Sequence, residues 1–337
     1  MNTRPISAEE LNSYVAKFHP EANFLQSSYW GKVYELIGDR VFYLGFFDAE
    51  ELIGTCVAIV KPARRGRYLE IPGGPLIDWQ SPTHIANAIS SIKQLAITED
   101  CVFVRLRPNI LNSLENRQIF EQNGFSLSPM HLHAEHTVIL NLEKPEEELL
   151  SDMRRQTRYE VRRADKLGIE VTSSSEESAF RDFYAVQLET AKRQGFIPSS
   201  EDFILAQHTA FGNQAKIYQA KLGNQTLALG LIILHQPEAV YHEAASSIAG
   251  RSLPGAYALQ WQVIKDAQKL GFKRYNLFGI APPNATDHRY SNVTIFKKGF
   301  GGEEVNYIPA YDLVINPTKY QVTKLIETIR KKKRNLK

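Results

Sequence analysis

Between Met153 and Gly168 the chain places Arg154, Arg158, Arg162 and Lys166 four residues apart, with Arg155 and Arg163 beside them. On a helix that spacing lines the four along one stripe, which is either a solvated face or a track for a nucleic-acid phosphate backbone. The tail from Lys324 to Lys337 gathers seven Lys and Arg against one Glu, while the whole chain of 337 residues carries only +3. Positive charge is therefore local, and the tail is suited to peripheral contact with an anionic membrane surface. His131, His133 and Glu135 would share one strand face, but with no fourth ligand evident a polar strand edge is expected instead of a metal site. Pro72-Gly-Gly-Pro75, with Gly74 inside it, is either a plain turn or a place where backbone amides approach a ligand. Tyr241 and Glu243, two apart in a strand pattern, are expected to face the same side, as are Arg105 and Arg107.

Composition narrows the class. With 43% hydrophobic and 23% charged residues, the chain reads as a packed globular protein and not as a disordered or fibrous one. Cys56 and Cys101 are too few and too isolated for a disulfide framework or a thiolate cage. No apolar signal core or membrane span is evident, so a cytoplasmic location is expected. No GxxxxGK[ST], HExxH or GxSxG occurs, which leaves nucleotide hydrolysis, zinc proteolysis and serine hydrolase chemistry of those types without support.

Two mixed α/β halves must position these residues. In the first, Ser7 and Glu10 form a capping-box spacing, strands are predicted over 41–47, 51–60, 68–71 and 102–106, and helices over 82–97 and 109–123. In the second, a strand over 137–142 precedes one helix over 145–167; strands follow at 169–171, 215–222, 225–234, 239–245 and 274–279, with helices over 177–194 and 255–270.

The order of Trp30-Gly-Lys32-Val, Gly73-Gly-Pro75, Val104-Arg-Leu-Arg-Pro108, Asn123-Gly-Phe125, Met153 to Gly168, Lys192-Arg-Gln-Gly195, Pro254 to Gln260, Tyr275-Asn-Leu-Phe-Gly279 and Ile295-Phe-Lys-Lys298 resembles the FemABX family. Members are transferases that add amino acids from aminoacyl-tRNA to the peptide of a peptidoglycan precursor. The resemblance implies two tandem domains like GCN5-related N-acetyltransferases, residues 1–142 plus 308–337 and residues 143–307. Only Phe196 to Asp202 stands where larger members insert a helical arm, so the coiled-coil arm is expected to be absent, as in the compact FemX-like branch.

The same resemblance implies roles. Lys32, behind Trp30, and Arg193 match cations that hold the precursor's diphosphate, and Lys297, after Phe296, matches the lysine beside the reacting groups, where an ammonium would stabilise a tetrahedral oxyanion. The three are expected to converge on one crevice. Tyr257 matches a precursor-contacting tyrosine; Glu243 stands where the family has a tyrosine and would accept or position the amine. Arg107 stands where FemX-like members have an aspartate, which reverses the charge there. No metal or organic cofactor is implied, since the aminoacyl-tRNA is a co-substrate with an activated ester. The partners implied are charged tRNA and UDP-MurNAc-pentapeptide or its lipid-linked form, acting on a monomer. Two rivals stand beside this reading. One is an acyl-CoA N-acyltransferase, although Arg251-Ser-Leu-Pro-Gly-Ala256 has its glycine one place late for a pyrophosphate loop. The other is a non-catalytic RNA-binding protein.

Overall fold

Helix α1 (Ala8–Phe18) begins as its spacing dictates: Ser7 Oγ accepts the Glu10 amide at 3.0 Å and Glu10 Oε2 accepts the Ser7 amide at 2.9 Å. A short edge strand, β1 (Asn2–Pro5), precedes it. The computed structural model describes residues 2–63, 66–283, 285, 288 and 290–333. Arg334 and Lys337 of the basic tail lie outside them.

The chain continues through α2 (Ser28–Leu36), β2 (Arg40–Asp48), β3 (Glu51–Ala63), β4 (Gly66–Gly73), α3 (Pro82–Thr98), β5 (Cys101–Pro108), α4 (Leu114–Gln122) and β6 (Phe125–Leu127). Helix α4 starts later than its apolar pattern suggests because Ser113 Oγ accepts the Asn116 amide and fixes the cap there. Next come β7 (His136–Asn141), α5 (Glu146–Asp152), α6 (Arg155–Lys166), β8 (Glu170–Ser174), α7 (Glu177–Gln194), α8 (Glu201–Phe211), β9 (Ala215–Leu222), β10 (Gln225–His235) and β11 (Glu238–Ser246). Then follow α9 (Gly255–Lys269), β12 (Arg274–Gly279), α10 (Ser291–Lys298), β13 (Glu303–Asn306), β14 (Tyr311–Val314) and α11 (Pro317–Lys333). Among the described residues no helix is long and apolar enough to cross a membrane.

Two seven-stranded sheets result, in the orders β1-β2-β3-β4-β5-β14-β6 and β13-β7-β12-β11-β10-β9-β8. The plan is duplicated. In the first sheet β2, β3 and β4 form an antiparallel meander, α3 crosses over, β5 returns parallel to β4, and β14 pairs antiparallel to β5. In the second, β9, β10 and β11 form the meander, α9 crosses over, β12 returns parallel to β11, and β7 pairs antiparallel to β12. The first unit holds residues 1–136, 281–289 and 305–337, and the second holds 137–280 and 290–304. The boundary falls before Thr137 and not after Leu142, because β7 hydrogen-bonds to β12 and so belongs to the second sheet.

Each sheet buries one face under its crossover helix. Leu69, Ile71, Val104 and Leu106 pack on Ile85, Ala88 and Ile92 of α3, and Ile232, Tyr241 and Tyr275 pack with Leu259, Val263 and Ile264 of α9. The single helix expected over 145–167 is broken. Met153 is extended and buried in the second core, and the Arg154 amide bonds the Gly299 carbonyl at 2.9 Å, so α5 and α6 are separate helices.

Candidate functional site

Strands β11 and β12 pair at only three positions, Glu238 with Arg274, Ala239 with Tyr275 and Val240 with Asn276. Beyond them β11 runs on to Ser246 beside β10 alone, and β12 runs on to Gly279, so the two parallel strands part. The end of β12 is held in an irregular shape. Phe278 adopts φ 59°, and Asn276 Oδ1 accepts its amide at 2.9 Å while also accepting the Thr137 hydroxyl.

Into this parting α10 brings Lys297. Its Nζ donates to the Gly279 carbonyl oxygen at 2.8 Å and lies 5.7 Å from the centre of the Tyr241 ring. The residue is buried, 8% exposed, and among the described residues no carboxylate pairs with it. Burial pushes its ammonium down to about 7, so both protonation states are reachable near neutrality. A carbonyl and an aromatic face are the contacts that keep a desolvated ammonium aimed without neutralising it. Phe296 is a packing residue: its ring meets Tyr257 at 5.0 Å and Phe300 at 5.2 Å, edge to face, anchoring α10 on α9. Tyr257, half-buried in the same trio, has its hydroxyl raised by burial and by Glu160.

Tyr241 and Glu243 do not face the same side. Leu231 pairs with Glu243 and Ile232 with Tyr241, leaving His242 as the extra residue of a β-bulge. Tyr241 therefore sits in the α9-side core. Glu243 instead accepts hydrogen bonds from Gln187 Nε2 of α7, Ser199 Oγ, and Gln207 Nε2 of α8. His242 shares that side, its Nδ1 2.9 Å from Gln207 Oε1, and burial lowers its pKa against the opposing pull of Glu243. The three residues that grip Glu243 were not singled out from the sequence; the buried Gln187 and Gln207 in otherwise apolar helix faces were the available signal.

The other expected residues fall as follows. Arg193 Nη2 donates to the Ser246 carbonyl at 2.7 Å and to its Oγ at 3.1 Å, tying the end of α7 to β11 just before Gly195, whose φ of 70° ends the helix. Lys32 is exposed on α2 and pairs with Glu35 at 3.1 Å. Trp30 is 1% exposed, edge-on to Phe24 and Tyr34, and is core instead of a ligand contact. Gly74 is buried where a Cβ would strike Gln26, whose amide bridges Val57 and Pro72, so its close approach is to protein. The basic stripe is split: Arg154 precedes α6, Arg158 bonds the carbonyls of Ser151 and Met153, and Arg162 and Lys166 are left exposed. His131, His133 and Glu135 lie in a loop, not a strand. His131 Nδ1 is 2.8 Å from Glu135 Oε2, while His133 is directed at Glu70. Among the described residues no three His, Cys, Asp or Glu gather as metal ligands. Arg107 is buried at 2% exposure with Tyr307 5.6 Å from its guanidinium carbon.

The model of the FemAB family matches residues 6–226 and 219–328, nearly the whole chain. The chain belongs to the FemAB family. Among its FemAB relatives, the aminoacyltransferase FemA of Staphylococcus epidermidis is 30% identical over 120 residues, covering 35% of this chain and 29% of that protein. FemA of Staphylococcus aureus strain MW2 is 32% identical over 108 residues, covering 32% and 26%. The alignments thus span less than a third of these relatives' length. Among solved structures, FemX superposes with a TM-score of 0.84 at 18% identity, over 96% of this chain and all of that one. A tandem GNAT protein from the clavulanic acid biosynthesis pathway superposes at 0.57 and 10% identity, over 92% and 97%. At these identities the likeness is one of fold: tandem acetyltransferase-like units carry the FemAB sequence.

Proposed function

We propose that the protein transfers an aminoacyl group from an aminoacyl-tRNA to an amine of a peptidoglycan-precursor stem peptide, nucleotide-linked or lipid-linked. The observation that carries the reading is Lys297: in a chain of the FemAB family, a buried lysine with no carboxylate partner among the described residues is aimed between parted strands. In this reading the first unit takes the acceptor and the second the aminoacyl ester. The neutral acceptor amine attacks the ester carbonyl, and the Lys297 ammonium stabilises the oxyanion as it forms. The attack forms the C–N bond, collapse of the tetrahedral intermediate restores the carbonyl and breaks the C–O ester bond, and the proton lost by the amine goes to the departing ribose oxygen. The ester arrives activated, so the reaction balances without a further cofactor. Arg162 and Lys166 meet tRNA phosphate in this reading, and the protein acts as a monomer.

The parting of β11 and β12, in a fold shared with a tandem GNAT protein, also favours a second reading, acyl transfer from an acyl-CoA. Incubation with a mixture of charged tRNAs and UDP-MurNAc-pentapeptide, followed by mass spectrometry, separates the two. A gain of one amino-acid residue mass supports the first reading. No gain, together with tight binding of coenzyme A, supports the second.

A further inference from the structure

Two arginines stand two residues apart on the same face of β5, and their surroundings are opposite. Arg105 is saturated: Nε and Nη2 take Asp312 at 2.8 Å each, and Nη1 and Nη2 take Glu327 at 3.3 and 2.8 Å. Arg107 is buried at least as deeply, yet its Nε and Nη1 are sealed from solvent with no hydrogen-bond acceptor among the described residues. Glu135 attracts it electrostatically, but among the described residues no hydrogen bond joins the two: Glu135 Oε2 lies 2.8 Å from His131 Nδ1 and its Oε1 accepts the Ala310 amide at 3.2 Å. What faces Arg107 is the Tyr307 ring. A guanidinium is the most costly side chain to bury unpaired, and its planar fork is shaped for a carboxylate or phosphate. Consistent with this imbalance, burial pulls Arg107 down to about 10 while its charged partners push Arg105 up.

We propose that Arg107 is the receptor for an anionic group of the ligand that the first unit binds, a carboxylate of the acceptor. The segments that flank it, residues 109–113 and 307–310, lie outside the regular ladders and meet through an isolated bridge between Leu111 and Tyr307 and a bond from the Ile308 amide to the Ile110 carbonyl at 2.9 Å. The inference rests on the proposed function only for the identity of the ligand. That Nε and Nη1 lack an acceptor among the described residues is independent of it.

The test therefore separates binding from transfer. Thermal shift and calorimetry on the intact protein use acetate, inorganic phosphate, the free pentapeptide and the same peptide with its carboxylates amidated one at a time, for wild type, R107K and R107M. The expected result is that one carboxylate-bearing probe binds wild type at least ten-fold more tightly than its amide and R107M at least ten-fold more weakly, with R107K between them. R107M, relieved of an unpaired charge, keeps or exceeds the wild-type Tm without ligand. Stronger binding of phosphate than of any carboxylate moves the site to the nucleotide diphosphate and overturns the carboxylate assignment. Equal binding by wild type and R107M, or collapse of both variants, makes the guanidinium a structural group or one satisfied by internal water and overturns the proposal. Carboxylate binding with no aminoacyl transfer would refute the proposed function and leave this site standing.

Discussion

Lys297 Nζ donates to the carbonyl oxygen of Gly279, the last residue of the strand that has parted from its parallel neighbour. A lysine held by a carbonyl and titrating at about 7 gives a distinctive pH profile. The acceptor amine must be neutral, with a pKa of about 10.4 for a lysine-type amine, and the Lys297 ammonium must be charged. The product of the two fractions rises tenfold per pH unit up to about 7 and is level above it until the amine itself titrates. In K297M the level region is lost and the residual rate, about 10²- to 10³-fold lower, keeps rising toward pH 10. A wild-type slope of two below pH 7 would instead make neutral Lys297 the proton acceptor.

The same residue costs stability. Its folded value of about 7 lies below its ordinary 10.5, so between these pH values the unfolded chain holds the extra proton and wild-type stability rises with pH. K297M lacks that penalty. Its Tm is expected to exceed that of wild type below pH 7, with the gap closing toward pH 10.5, as calorimetry across that range would show.

The buried ion pair of the first unit is the reverse case. Asp312 is fully buried, takes Arg105 and also accepts the Tyr320 hydroxyl at 2.9 Å, whereas Glu327 reaches Arg105 from the partly exposed α11. D312N is expected to cost about 3–5 kcal/mol in urea unfolding, because it leaves a desolvated guanidinium short of charge. E327Q is expected to cost clearly less. Equal losses would show that α11 holds Arg105 as firmly as β14 does.

Much of this was legible in the sequence, and the exceptions have physical causes. The Ser7–Glu10 cap, α7 and strands β9 and β12 follow local signals that packing does not oppose. The break at Met153 is tertiary, since a buried methionine and a backbone bond to Gly299 end a helix that its own residues would continue. The bulge at His242 is equally invisible in a period-two pattern, yet it sends Glu243 to the opposite face from Tyr241. Lys297 was legible only through resemblance, since nothing in Ile295-Phe-Lys-Lys298 marks one lysine as buried and the next as exposed. Arg107 was legible as a charge and not as an unpaired one.

The divided basic stripe predicts divided phenotypes. R162A/K166A is expected to raise KM for charged tRNA with little change in kcat and to flatten the salt dependence of binding, since each lost phosphate contact removes roughly one unit of slope. R158A is expected to lower Tm instead, because its guanidinium serves the carbonyls of Ser151 and Met153. Steady-state kinetics at several salt concentrations beside thermal melts would check both.

The most direct measurement is single-turnover transfer from a charged tRNA to UDP-MurNAc-pentapeptide, followed by mass spectrometry, for wild type and K297M at pH 7. The pentapeptide is expected to gain one amino-acid residue mass with wild type and to gain it at least a hundred-fold more slowly with a folded K297M. Equal rates for the two proteins would contradict the oxyanion role of Lys297.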